Sequence, residues 1–117
     1  MSVAPPPGWP REVPPPGAEG WRERAVGWLL DNGTGDLRSH SVLRRHPQVL
    51  AWLVAQQVEA QLVAARTAYG RARRDLGPAA GPEVVAETLA ALEAEGARLL
   101  GLQRAVGLVA EALESGR

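Results

Sequence analysis

The side chains best suited to chemistry lie between Asp36 and His46. The chain has two histidines, His40 and His46, and His40 stands between Ser39 and Ser41. If this segment is helical, Asp36 and His40 share a face, because residues four apart are neighbours on a helix. One histidine and one carboxylate do not make a metal site, which normally needs three or four ligands. Adjacent Ser and His residues also lack the geometry of a nucleophilic triad. We predict no catalytic residue, no metal site and no cofactor, and expect both serines to satisfy backbone groups in a turn.

A cluster of arginines is the second candidate for function. It consists of Arg66, Arg71, Arg73 and Arg74. Arginines grouped in this way can contact phosphates. Acidic residues on the same predicted hairpin would neutralise much of their field, and arginine near a helix C-terminus also complements the helix dipole without any ligand. Nucleic-acid or ribosome contact through these four arginines is therefore the alternative hypothesis, beside a solvated and internally paired surface.

Two long helices must position these arginines. Apolar residues recur every three or four positions over residues 47–76, and residues 82–114 carry a heptad seam, which is typical of coiled-coil packing. The seam residues are Val85, Leu92, Leu99, Val106 and Leu113. Gly77 and Pro78 suit a helix stop, and Pro82 suits a first helical position. The sequence therefore predicts an all-α fold built on an antiparallel hairpin of helices 47–76 and 82–114.

A turn centred near Ala79 and Ala80 would set the register of this hairpin. It would place Tyr69 opposite Leu89 and Leu62 opposite Gly96. Arg66 would then come opposite Glu93, as an exposed pair that contributes at most about 1 kcal/mol. Glycines inside the second helix each cost about 1 kcal/mol relative to alanine, so we expect another helix or a Trp ring to approach them closely. They are Gly96, Gly101 and Gly107.

A shorter helix, residues 18–31, needs a partner for its apolar face. The hairpin offers one at its open end, where residues 49–58 and 99–109 are apolar nearly all the way round, as in helices buried on every side. The sequence therefore predicts a three-helix body and a projecting two-helix finger, within one helical domain over residues 18–117. The residues expected to be most buried are Trp21, Trp28, Trp52, Leu53, Leu99 and Leu102.

The N-terminal residues 1–17 form a proline-rich arm. They contain two similar stretches, each with three prolines followed by glycine. Proline density of this kind favours an extended polyproline II backbone. Pro5, Pro6, Pro7 and Trp9 are candidate contacts for an aromatic-lined groove on a partner. The alternative that we prefer is a strap across the protein's own helices, pinned by Trp9, because a lone Trp gains most by burial.

Composition supports a noncatalytic interpretation. The 117 residues have a formal net charge of zero and no cysteine, which excludes disulfides and thiolate sites. No apolar run approaches the roughly 20 residues of a membrane span, so we expect a cytoplasmic protein without membrane contact. The leading hypothesis is a helical-hairpin protein-protein interaction or scaffold module with a protein partner, which includes a homodimer. Its candidate anchors are Tyr69, Leu76, Val84 and the arm residues named above.

Overall fold

The chain is helical, as predicted. The computed structural model describes residues 4–115, and residues 1–3 and 116–117, at the ends of the predicted arm and helical domain, lie outside the described part. Helix α1 spans Trp21–Asn32, α2 spans Ser41–Arg45 and α3 spans Pro47–Glu114, with a 3-10 turn at Leu37–Ser39 between α1 and α2. Within residues 4–115 there is no β-strand. The all-α fold class is therefore confirmed.

Helix α3 folds back on itself at Gly81. A straight helix of its 68 residues would be about 102 Å long, whereas the longest dimension of the molecule is 57 Å. Gly81 has a non-helical backbone with φ 79° and ψ 164°, a conformation that glycine adopts without steric cost. We call residues 47–80 the first arm and residues 82–114 the second arm. Pro82 begins the second arm, where its missing N–H removes no helical hydrogen bond.

The turn is tighter than predicted, because the first arm stays helical up to residue 80. Residues 77–80 remain helical although Pro78 lies among them, because a proline in the last turn costs few helical bonds. The hydroxyl of Tyr69 donates a hydrogen bond to Glu93 Oε1 at 3.3 Å, and Tyr69 packs against the cluster of Ala72, Val85 and Leu89. Tyr69 therefore lies at the cluster that contains Leu89, its predicted neighbour, and its long side chain also reaches Glu93, about one helical turn further along the second arm.

Helix α1 and the two arms form the predicted three-helix body at the open end of the hairpin. Trp21, Trp28 and Leu29 of α1 are buried in one core with residues of both arms. Its members from the two arms include Leu50, Val54, Val58, Leu62, Leu99, Val106, Val109 and Leu113. Helix α1 has 12 residues and is therefore about 18 Å long, whereas each arm is about 50 Å long. We call residues 60–101 of the hairpin the finger, whose base contributes Leu62 and Leu99 to the core of the body.

One predicted core residue is on the surface. Trp52 is 61% exposed, so the prediction that it is among the most buried residues was wrong. Leu53 and Leu102 are only half-buried. The reason is that α1 covers the first arm from one side. The loop after α1 meets the arm at Gln57, whose side-chain amide pairs with the backbone of Thr34 through bonds of 2.9 and 3.1 Å. Trp52 lies about 140° around the helix from Gln57.

The N-terminal proline-rich segment forms a strap that contains two turns. Trp9 N–H bonds to Pro6 O at 3.0 Å with Gly8 at φ 93°, and the second repeat places Gly17 at φ 89° in the same way. A positive φ at the third residue is the mark of a type II turn, so turns at Gly8 and Gly17 interrupt the predicted extended conformation. Trp9 is buried and its indole N–H donates to Val13 O at 2.9 Å. This proline-rich strap therefore binds the protein's own helices through Trp9.

Candidate interaction face

An open apolar groove runs between the two arms on the side of the hairpin away from α1. Its volume is about 430 Å³. We call it the front groove. Its lining residues are Leu62, Ala65, Arg66, Tyr69, Leu92, Glu93, Gly96, Ala97 and Leu100. The lining comes from both arms, so the groove depends on the antiparallel pairing. It exists because two helices placed side by side leave a furrow along each side of their contact line.

Large apolar side chains border the front groove without being covered. Leu100 in its wall is 50% exposed, and Val63 beside Arg66 is 56% exposed. Trp52 lies eleven residues before Val63 and about 20° from it around the first arm. It therefore lies on the same side of the hairpin, at the level of the three-helix body. We call this side of the hairpin the front face. Trp52, Val63 and Leu100 are three large exposed apolar side chains on this face, and we refer to them as its apolar patch.

A second groove lies on the opposite side of the finger. This back groove has a volume of about 510 Å³ and includes Ala68, Ala72 and Leu76 in its lining. It follows the side of the first arm that carries Gln57, where the loop after α1 packs. The back groove is therefore the continuation of the position that α1 and its loop fill in the body.

The structure disperses the four arginines of the predicted cluster. Arg66 and Arg73 lie about 20° apart around the helix, whereas Arg74 lies about 100° and Arg71 about 160° from Arg73. Arg66 lines the front groove and Arg71 the back groove. Arg74 Nε contacts Asp75 Oδ1 at 3.2 Å. The four side chains thus point in several directions and do not form one phosphate-binding surface.

Charged side chains on the front face have no ion-pair partner among residues 4–115. They are Glu59, Arg66, Glu93 and Arg104. Arg66 and Glu93 both line the front groove, but the predicted ion pair between them is not formed, and Glu93 accepts a hydrogen bond from the Tyr69 hydroxyl. By contrast, Glu95 accepts a hydrogen bond from Arg98 Nε at 2.9 Å. That bond lowers the pKa of Glu95 and raises the pKa of Arg98.

The predicted partner anchors do not lie on one surface. Tyr69 lines the front groove and Leu76 the back groove. Val84 is 48% exposed near the finger tip. Pro5, Pro6 and Pro7 are exposed, whereas Trp9 is packed in the core. Of these candidates, only Tyr69 belongs to the front face.

The residues with catalytic potential lie on the surface around α2. His40, Ser41 and His46 are exposed, and the Ser39 hydroxyl donates to Asp36 O at 2.8 Å, as expected of a turn residue. Within residues 4–115, no three His, Asp or Glu side chains are grouped to hold a metal ion.

The glycines of the second arm face open space. A methyl group added at Gly96, Gly101 or Gly107 would meet no other part of the described chain within 4 Å. The predicted close approach by another helix or a Trp ring therefore does not occur within one molecule. Gly96 lines the front groove, and Gly107 lies about 20° around the helix from Leu100.

Sequence reasoning missed the main residues of the front face, Trp52, Val63 and Leu100. The sequence signal that could have identified them is their position outside the hydrophobic seam. Leu100 follows seam residue Leu99 directly, and Trp52 and Val63 are eleven residues apart, which is close to three full helical turns.

Comparisons with protein-family models, with curated proteins and with solved structures give no match. None of the helices within the described residues is both long and apolar enough to cross a membrane.

Proposed function

We propose that this chain is a noncatalytic helical-hairpin interaction module that binds a protein partner through its front face. The observation that carries the proposal is the uncovered apolar patch of Trp52, Val63 and Leu100 beside the front groove. Aromatic and aliphatic anchors of this kind provide most of the binding energy in protein interfaces. Their exposure costs free energy in the isolated chain, which a partner would recover by covering them.

A protein partner fits the charge of the finger better than a nucleic acid does. Residues 60–101 contain five basic and five acidic residues, whereas a nucleic-acid-binding surface carries a one-signed basic excess. The four arginines of the first arm also diverge around the helix. We therefore favour the interaction module over the nucleic-acid-associated alternative.

Site-specific photo-crosslinking in native lysate tests this proposal. A photoreactive phenylalanine analogue replaces Val63 or Leu100 on the front face, and Val84 in the control. Val84 matches Leu100 in exposure, at 48% against 50%, but lies about 160° away around the second arm. We expect protein adducts from positions 63 and 100, few from position 84, and the same yield after nuclease treatment. Equal yields at all three positions, or adducts that nuclease removes, would contradict the proposal.

A further inference from the structure

We propose that the partner of the front face is the front face of a second copy of this chain, with both finger tips at the same end. The two hairpins would then form a four-helix bundle along the finger and the lower part of the arms. This inference rests on the proposed function, because it names the partner of the same surface and the orientation in which it binds.

The charge distribution of the finger is self-complementary. Residues 60–80 of the first arm carry four arginines and one aspartate, a net charge of +3. Residues 81–101 of the second arm carry four glutamates and one arginine, a net charge of −3. Of these charged residues, Arg66 and Glu93 line the front groove, whereas Arg71 lines the back groove. Two copies can pair the front-face charges if Arg66 of each lies over Glu93 of the other.

This requirement selects one of two symmetric arrangements. Face-to-face dimers use the same surface on both copies. A two-fold axis parallel to the arms keeps the tips together and exchanges left and right, so each first arm lies over a second arm. A two-fold axis across the arms sets the tips apart and places first arm over first arm. Like charges facing each other in an interface oppose association, so the charges favour the arrangement with tips together.

Individual side chains on the front face match in this arrangement. Within one hairpin, Arg66 and Glu93 line the same groove from opposite arms, so they lie at similar levels along the hairpin. In the dimer, Arg66 of one copy would therefore reach Glu93 of the other. Glu59 would likewise lie near the guanidinium of Arg104 of the second copy, with the charges reversed, while the aliphatic stem of Arg104 packs beside Gly8 of its own chain. None of these four side chains has an ion-pair partner within residues 4–115.

Side-chain sizes match at the same levels. Continuing the level of Arg66 and Glu93 by about 14 residues down both arms places Trp52 over Gly107 of the second copy. Gly107 has open space around it in the single molecule. A second copy would provide the close approach by a Trp ring that one molecule lacks.

The front face is large enough for a stable dimer. Each arm is about 50 Å long, and two helices 8–10 Å apart present a surface about 18 Å wide, or about 900 Å². Stable protein interfaces bury about 800 Å² on each partner.

Sedimentation equilibrium with charge-reversed variants tests the inference. We expect the wild type to form a dimer at micromolar concentration, with twice the 12.4 kDa mass of the chain. Arg66→Glu and Glu93→Arg should each raise the dissociation constant about tenfold or more, because each creates two like-charge contacts. Mixing the two variants should restore the affinity, because both contacts in the mixed dimer again join opposite charges. Arg71→Glu, which makes the same charge change in the back groove, should leave the affinity within about threefold.

Two results would overturn the inference. One is a wild type that stays monomeric over the whole concentration range. The other is that Arg66→Glu and Glu93→Arg each associate with themselves as tightly as the wild type does, as expected if the tips lie apart and residue 66 of one copy does not meet residue 93 of the other. Circular dichroism of each variant verifies that the helical fold is retained. A monomeric wild type that still crosslinks to a different protein through positions 63 and 100 would refute the second copy while supporting the proposed function.

Discussion

Replacing Trp28 or Trp52 by alanine tests which side of the three-helix body is buried and which is open to solvent. Trp28 is 8% exposed within the core, and truncation of a buried Trp costs about 3–5 kcal/mol. Trp52 keeps only about two-fifths of its surface out of water. This corresponds to about 80 Å² and about 2 kcal/mol. Alanine retains part of that burial and gains about 0.5 kcal/mol of helix propensity, so the net cost of Trp52→Ala should be about 1 kcal/mol.

Urea unfolding followed by far-UV circular dichroism measures both costs. The chain should be dilute enough to be monomeric, because any partner that binds the folded state raises its apparent stability. A domain of this size is stable by roughly 6–17 kcal/mol, so Trp28→Ala should lower the unfolding midpoint far more than Trp52→Ala. At higher concentration the gap should narrow, because Trp52→Ala also removes an interface anchor. Equal costs in the dilute chain would refute the assignment of Trp52 to the open side of the first arm.

Two glycine substitutions provide further predictions. Gly107→Ala should stabilise the monomer by about 1 kcal/mol through helix propensity but weaken self-association in sedimentation, whereas Gly101→Ala, about 100° off the front face, should stabilise the monomer and leave association unchanged. Gly8→Ala should destabilise the chain more than Gly17→Ala in thermal unfolding. Both have positive φ, but an added methyl group at Gly8 would lie 2.7 Å from Arg104 Cδ, whereas the space at Gly17 is open. Equal effects of Gly107→Ala and Gly101→Ala on self-association, or equal losses of stability for Gly8→Ala and Gly17→Ala, would contradict these assignments.

The hairpin could be predicted because its signals are local. The seam from Val85 to Leu113 can be recognised from helical periodicity alone. Pro82 can be recognised as a first helical residue because it lacks a backbone N–H. The end of the first arm was harder, because Gly77 and Pro78 look like a stop while the helix continues to residue 80. Which of these residues ends a helix depends on how the two arms pack. The register therefore could not be fixed to better than about one turn.

The front face could not be predicted because it depends on which helices neighbour the first arm. Periodicity assigns Trp52 to a side of its own helix, but not whether another helix covers that side. The 12 residues of α1 cover one side only, and the pairing of Gln57 with Thr34 fixes which side it is. Neither the length of α1 relative to the arms nor this amide pairing is visible in the hydrophobic pattern.

The distance between two finger tips tests the central claim most directly. The chain has no cysteine, so Ala79→Cys, on the exposed tip, can carry a single spin label. Pulsed electron paramagnetic resonance on the singly labelled protein then reports only distances between copies. Front faces packed with tips together place the labels roughly 20–35 Å apart, because packed helices lie 8–10 Å apart and each label adds its own length. A distance of about 50 Å, the length of an arm, or no intermolecular distance at micromolar concentration, would contradict the account.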